Sequence, residues 1–527
     1  MREFSILDCT LRDGGYCNEW NFGRENIKKI IKSLNDASIE IIECGFMTNR
    51  IEYDENKSKF TSIDQLKNLI RKRDNGIYVV MINYGEYNVD ELPQYDGSSI
   101  DGIRVAFHKK DYKEAMDVCK RIREKGYKVF IQPMVSMTYT DEEFIELIKL
   151  ANEFKPYAFY IVDSFGAMKR NELIRLYYLV EHNLDKSIWI GFHSHNNIQL
   201  AYSNAQSLIE ISANRRIIID SSIYGMGRGA GNLNTELFVQ YVNENYGEKY
   251  QLKPLLNVID LVLNDIYQEN YWGYSLPNYL SASHMVHPNY AGFLSDKNTL
   301  TAEAMEEIFT MMSSDKKISY DKCYAEEIYL KYMETGRTIN VHKKDLLEKV
   351  KNKNVLLIAP GKSIIKNQDK ISSFIKEVDT ISVSINFDYE YMDTDFIFIS
   401  NLRRFREINQ YKRKKCIITS NIPADEVYYQ TNYHNLLMPI EFVRDNAGLM
   451  AIKFFKELGA KKIILAGFDG YNHEDEENYV SKQMKFITKN AIIDAMNEGM
   501  KEMIEDFSNK TEIIFITESR FDIRRTK

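Results

Sequence analysis

The chain has 527 residues, of which 44% are hydrophobic and 28% charged, with a formal net charge of -7. That length exceeds one ordinary core, so two or three domains are expected, in a composition typical of globular proteins. The negative balance argues against nucleic acid or an anionic membrane as the main partner, and no apolar run reaches the roughly 20 residues of a membrane span.

Met1-Arg2-Glu3 leads directly into an apolar run, so no secretory leader is expected. Six scattered cysteines without a C-x-x-C pair fit a reducing, cytoplasmic setting. The first run, Phe4–Leu7, ends in Asp8-Cys9-Thr10-Leu11-Arg12-Asp13-Gly14-Gly15-Tyr16. An arginine and a carboxylate followed by two glycines read as reactive groups at the rim of a sheet, or simply as a salt-bridged strand end.

Further apolar runs follow at 39–46, 77–83, 102–107, 128–135, 158–163, 188–193 and 216–223. Most are separated by segments with helical spacing, such as Ile27, Ile30, Ile31 and Leu34, or Phe144, Leu147, Ile148 and Ala151. Eight strand-like runs at intervals of roughly 25–35 residues predict a (β/α)8 barrel over about residues 1–245. The open doubly wound alternative would carry a Gly-rich phosphate loop after its first strand, and Gly14-Gly15 is not followed by one.

Barrel chemistry belongs at the C-terminal ends of strands. Those ends carry Arg12 and Asp13, Glu43 and Cys44, Asn83, Arg104 and His108, Gln132, Asp163 and Ser164, and His193, His195 and Asn196. The eighth run leads into Gly225-Met226-Gly227-Arg228-Gly229-Ala230-Gly231-Asn232. Positions i and i+2 of a strand share a face, so His193 and His195 both aim into the mouth, where Asp13 can join them. Two imidazoles and a carboxylate leave positions open on a divalent cation; Mg²⁺ or Mn²⁺ is expected, with Fe²⁺, Co²⁺ or Zn²⁺ as alternatives.

Asp8-x-Thr10-Leu11-Arg12-Asp13-Gly14, His193-x-His195 and Gly229-Ala230-Gly231-Asn232 resemble the DRE-TIM metallolyases, over about residues 1–330. That superfamily includes 4-hydroxy-2-oxovalerate aldolase, hydroxymethylglutaryl-CoA lyase, isopropylmalate synthase and homocitrate synthase, and the glycine-rich loop is most similar to the aldolase branch. The resemblance implies Asp13, His193, His195 and Asn232 around the metal, with a 2-oxo acid such as pyruvate chelating it. It implies Arg12 on the enolate oxygen. Glu43 is similar to a glutamate of the lyase branch, or is a carboxylate paired within the barrel. The aldolase branch has a histidine base three residues after the metal aspartate, where this chain has Tyr16. An ordinary tyrosine, with a pKa of about 10, is a poor base, so either Tyr16 acts as the catalytic group through a lowered pKa or His108, His284 or His287 takes the proton. Ser164 is a candidate substrate-binding group, and Tyr274 or Tyr290 is expected to reach substrate from a helical cap and linker over residues 246–345.

Strand–helix alternation restarts after the charged stretch around His342–Asn354, predicting a Rossmann-like α/β domain over 350–527. Ala359-Pro360-Gly361-Lys362-Ser363 follows its first strand and could seat a phosphate, although it is neither a Walker motif nor a dinucleotide fingerprint. With Ile385-Asn386-Phe387, Ala447–Ala451 and Gly459–Asp469, this half loosely resembles motility accessory factors and bacterial sialyltransferases. That resemblance implies a nucleotide or nucleotide-sugar near Gly361, Ser363, Asn386 and Asp469. Arg403-Arg404-Phe405-Arg406 reads either as an anion site or as a solvated helix face.

The expected protein is a metal-dependent aldolase of a 4-hydroxy-2-oxo acid, using a 2-oxo acid and an aldehyde. It would be fused to a nucleotide-sugar-type domain in surface-glycan biosynthesis, in a chain that could form a homo-oligomer. Two alternatives stand beside it: a Claisen-type acyl-CoA condensing enzyme of the same superfamily, and a non-catalytic barrel joined to a nucleotide-sugar-binding or glycosyltransferase domain.

Overall fold

Eight of the expected runs form one closed parallel barrel. The structure is a computed structural model that describes residues 3–522, apart from 213–214, 298, 335–341, 378–379, 390–391, 425, 475–477, 482–483 and 485–489. The barrel strands are β1 (Phe4–Asp8), β2 (Ile41–Met47), β4 (Ile77–Asn83), β5 (Gly102–Phe107), β6 (Lys128–Pro133), β7 (Ala158–Asp163), β8 (Trp189–Ser194) and β9 (Ile217–Ser221). A two-residue strand, β3 (Lys59–Phe60), adds only to the end of β2.

Closure comes from β1, which pairs in parallel with both β2 and β9, setting Leu7 against Ile41 on one side and Asp220 on the other. The strands are buried on both faces, as parallel barrel strands must be. Leu7, Ile41, Val79, Phe130, Tyr160 and Ile218 fill the interior as their own apolar cluster. Outward-facing Ile6, Ile42, Val80 and Ile219 pack against helical faces such as Ile27, Ile30, Ile31 and Leu34 of the helix Arg24–Asp36. A register shift in β2 between Glu43 and Phe46 interrupts its pairing with β4 at the level of the mouth.

A second parallel sheet holds β10 (Asn354–Ile358), β11 (Thr380–Ile385), β12 (Phe396–Ile399), β13 (Cys416–Thr419), β14 (Tyr429–Thr431), β15 (Lys462–Ala466) and β16 (Glu512–Phe515). Their order is β14-β13-β12-β11-β10-β15-β16, a doubly wound arrangement whose strand order reverses beside β10. Three-residue β14 has no expected counterpart, being too short to show a period.

The chain divides into two compact units, Met1–Gly292 with Ser313–Tyr320, and Phe293–Met312 with Asp321–Lys527. The helical stretch after the barrel is therefore shared between the units. No helix among the described residues is long and apolar enough to cross a membrane.

Candidate metal centre and barrel mouth

Asp13, His193 and His195 each offer one ligand atom within 4.8 Å of the others, and all three are buried. Asp13 ends a short helical turn, Thr10–Asp13, that follows β1, while His193 lies near the end of β8 and His195 just beyond it. The turn is braced from several sides. Trp20 Nε1 donates to Arg12 O at 2.8 Å, Ser58 Oγ to Leu11 O at 2.6 Å, and Ile223 N to Thr10 Oγ1 at 2.8 Å.

His193 Nδ1 lies 3.0 Å from Asp220 Oδ2 on β9. Burial raises the Asp220 carboxyl, but Arg104 and then His193 outweigh it and keep it low. An ionised carboxylate only accepts, so His193 Nδ1 carries the proton and Nε2 is left for a cation. His195 Nδ1 lies 3.8 Å from Asp13 Oδ2 and, like Asn232 Oδ1, is buried without a hydrogen-bond partner. Burial depresses His195 to about 3, so it is neutral, as a ligand must be. Burial alone would raise Asp13, yet Arg12 and then His195 hold it well below the carboxylate range. Orphaned acceptors grouped around an ionised carboxylate fit a divalent cation. Asn232 Nδ2 donates to Asp13 Oδ2 at 2.6 Å, and a Cβ at Gly227 would fall 2.3 Å from that amide and 2.8 Å from Asp13 Oδ2. The close approach needs glycine.

Behind the ligands runs a buried chain of alternating charge. Arg12 Nη1 pairs with Asp13, and Arg12 Nε donates to Glu43 Oε2 at 2.8 Å. Arg104 Nη1 donates to the same oxygen at 2.8 Å, and its Nη2 pairs with Asp220. The chain Asp13–Arg12–Glu43–Arg104–Asp220–His193 thus joins two of the candidate ligands. Arg12 Nη2 is buried with no partner. Asp220 was not foreseen; its sequence signal is only a charge within an isoleucine run, Ile217-Ile218-Ile219-Asp220.

Tyr16 shows 40% of its surface, its ring edge-on to Trp20 at 4.7 Å. Desolvation nevertheless pushes its hydroxyl pKa up, against the pull of Arg228, which is the wrong direction for a base. Burial lowers His108, so it is neutral. Ser164 Oγ accepts from Val135 N at 2.9 Å, and its carbonyl accepts from Arg228 Nη2 at 3.3 Å. Tyr290 is buried, with its hydroxyl donating to Ser319 O at 3.2 Å, and Tyr274 is half-exposed beside Tyr271. His287, in contrast, faces Arg228 Nη1 with its Nε2 at 3.4 Å.

In the second unit, a cavity of about 320 Å³ lies at the C-terminal ends of β10 and β15, where the strand order reverses. Gly361, Asn386 and Asp469 line it, together with Arg403 and Arg404. Ser363 does not line it. Its N–H donates to Asp469 Oδ2 at 2.7 Å and its hydroxyl also pairs with that carboxylate, so the turn expected to hold a phosphate holds a side chain of this protein. Arg404 pairs with Glu407 and Arg406 with Glu303, leaving Arg403 as the cavity-lining arginine with no ion pair among the described residues.

Comparison with known proteins agrees with the barrel. Residues 3–262 match the HMGL-like family. A 4-hydroxy-2-oxovalerate aldolase of Geobacillus genomosp. 3 is 27% identical over 238 residues, 44% of this chain and 68% of the relative. One from Bacillus thuringiensis (strain Al Hakam) is 26% identical over 267 residues, 50% of this chain and 76% of the relative. Among solved structures, the N-terminal domain of a putative aldolase from Bacteroides vulgatus is 27% identical with a TM-score of 0.46, covering 55% of this chain and 96% of that domain. Residues 3–262 are thus similar to the HMGL-like lyases and aldolases, the DRE-TIM enzymes that the Arg12-Asp13 and His193-x-His195 motifs resemble.

Proposed function

We propose that the barrel is a divalent-metal-dependent aldolase that makes or cleaves a 4-hydroxy-2-oxo acid by way of pyruvate enolate. The observation that carries this reading is the convergence of Asp13, His193 and His195, with the unpartnered Arg12 Nη2 beside them. A bound Mn²⁺ or Mg²⁺ supplies Lewis acidity toward the 2-oxo and carboxylate oxygens. In cleavage the 4-hydroxyl loses its proton, the C3–C4 bond breaks, and its electron pair ends on the 2-oxo oxygen. The products are an aldehyde and an enolate that takes a proton at C3. Arg12 Nη2 holds the oxygen on which that charge develops, in a water-poor site where a fixed guanidinium acts strongly. His108, neutral through burial, accepts the hydroxyl proton. Tyr16, its hydroxyl pushed up by desolvation, remains a phenol.

Exchange of pyruvate methyl protons with solvent deuterium tests this without a second substrate. Metal-loaded protein should catalyse exchange and Asp13→Asn should lose both metal and exchange. No exchange by the loaded wild type would sink the reading, and turnover with acetyl-CoA in place of pyruvate and aldehyde would move it to the Claisen branch.

For the second unit the reading is a nucleotide-sugar site in surface-glycan biosynthesis. It is supported by the cavity at the sheet's switch point and by Arg403, Asn386 and Gly361 on its wall. The six free cysteines suit a reducing cytoplasm. A thermal-shift screen with CMP, UDP and their sugars should show stabilisation that Arg403→Ala reduces; silence across the panel leaves the domain a structural role.

A further inference from the structure

Arg228 is the cation of the mouth that has no carboxylate to answer it. Among the described residues it forms no ion pair, although Arg12 and Arg104 each hold two carboxylates. Its contacts are weak ones: the Ser164 carbonyl at 3.3 Å, His287 Nε2 at 3.4 Å, and the face of Tyr16 at 5.3 Å. Its Nε is buried with no partner at all. Asp13, a carboxylate that feels the charge of Arg228, is already held by Arg12 and Asn232. A guanidinium half-removed from water without a counter-charge is costly unless a ligand supplies one.

His287 sharpens the point. Its Nδ1 accepts from Asn289 N at 3.2 Å, so the neutral ring carries its proton on Nε2. That N–H therefore faces Arg228 Nη1, another donor. Two donors 3.4 Å apart do not satisfy one another; an acceptor lying against both would. Phe165 walls one side of the imidazole at 5.9 Å and Tyr320 stacks near it at 6.2 Å, which fixes the ring.

We propose that Arg228 and His287 bind an anionic group on the aldehyde partner, so that the carbon–carbon bond is made to an aldehyde bearing a carboxylate or a phosphate rather than to a neutral one. This rests on the aldolase reading above and names the class of its second substrate. Arg12 and the metal-ligand group serve the pyruvate end. Arg228, on the loop after β9, faces Tyr16 and Ser164 and serves the acceptor end.

The test uses the full-length protein loaded with Mn²⁺, pyruvate, and three aldehydes: propanal, succinic semialdehyde and glycolaldehyde phosphate. One charged aldehyde should exceed propanal in kcat/KM by on the order of a hundredfold, and which one identifies carboxylate or phosphate. Arg228→Met should collapse that ratio toward one, and Arg228→Lys, which keeps the charge, should recover part of it. As a readout independent of turnover, metal-free wild type should bind succinate or phosphoglycolate in a calorimetric titration, and the Met variant should not. Propanal equal to or better than both charged aldehydes overturns the proposal. So does a raised pyruvate KM in the deuterium-exchange assay of Arg228→Met with an unchanged aldehyde ratio, because Arg228 then holds pyruvate. Absence of exchange in the wild type instead removes the aldolase reading and this inference with it.

Discussion

Asp220 Oδ2 accepts from His193 Nδ1 at 3.0 Å and also takes Arg104 Nη2, so one carboxylate both aims a candidate ligand and ends the charge chain that begins at Asp13. The interaction fixes which imidazole nitrogen faces the candidate metal position. Orienting partners of this kind usually matter about 10–100-fold in metal affinity. Asp220→Asn should therefore weaken Mn²⁺ binding by about that factor, measured by titration of metal-stripped protein. Unchanged affinity would show that the β8 backbone alone sets the ring.

Gly227→Ala should strike the same centre from the other side. The new methyl would lie 2.3 Å from Asn232 Nδ2 and 2.8 Å from Asp13 Oδ2, and neither group has room to retreat in a buried site. The expected result is loss of bound metal in purified protein with little change in far-UV circular dichroism. Full metal content would mean that the loop shifts without cost.

Arg12→Lys keeps the charge and removes the fork. A lysine cannot reach Glu43 and Asp13 together and still present a third donor, as Arg12 does with Nη2. Pyruvate–deuterium exchange should fall by roughly 10²–10³-fold while metal content is retained. Exchange at the wild-type rate would take Arg12 out of the chemistry.

Asp8 carries a pH dependence of known sign. Burial raises its pKa from 3.8 to about 6, although Thr235 and Thr10 donate to it. The folded state holds the proton more tightly than the unfolded chain, so this contribution to stability is complete below about pH 3.8 and disappears as pH rises through about 6. Relative to Asp8→Asn, wild type should lose about 1–1.5 kcal/mol between about pH 5 and pH 7.5 in denaturant titrations. A pH-independent difference would mean that Asp8 keeps an ordinary pKa.

Much of the barrel was legible because its signals are local. Each strand is a short apolar run closed by turn residues, and β4, β5 and β7 end where their runs end. The β2 and β8 runs start at Ile39 and Ile188, ahead of their strands, and stop one residue short of Met47 and Ser194, whereas the β6 and β9 runs overrun their strands by two residues, to Val135 and Ile223, because apolar residues continue beyond the paired ladder. The pairing of His193 and His195 on one face was equally local, because it needs only the two-residue period of a strand.

The sequence by itself therefore determined which residues could bind a metal and on which strand ends they sit. It could not determine their partners. Asp220 lies 27 positions from His193, and Asn232 lies 219 positions from Asp13. The first pair depends on the register of β9 against β8, and the second on the closure of β1 against β9, a property of the whole ring. The same holds for Arg12 and Arg228. Both are arginines, yet Arg12 is locked between Asp13 and Glu43 whereas Arg228 pairs with no carboxylate among the described residues, because only the folded barrel decides which guanidinium meets an anion of its own chain.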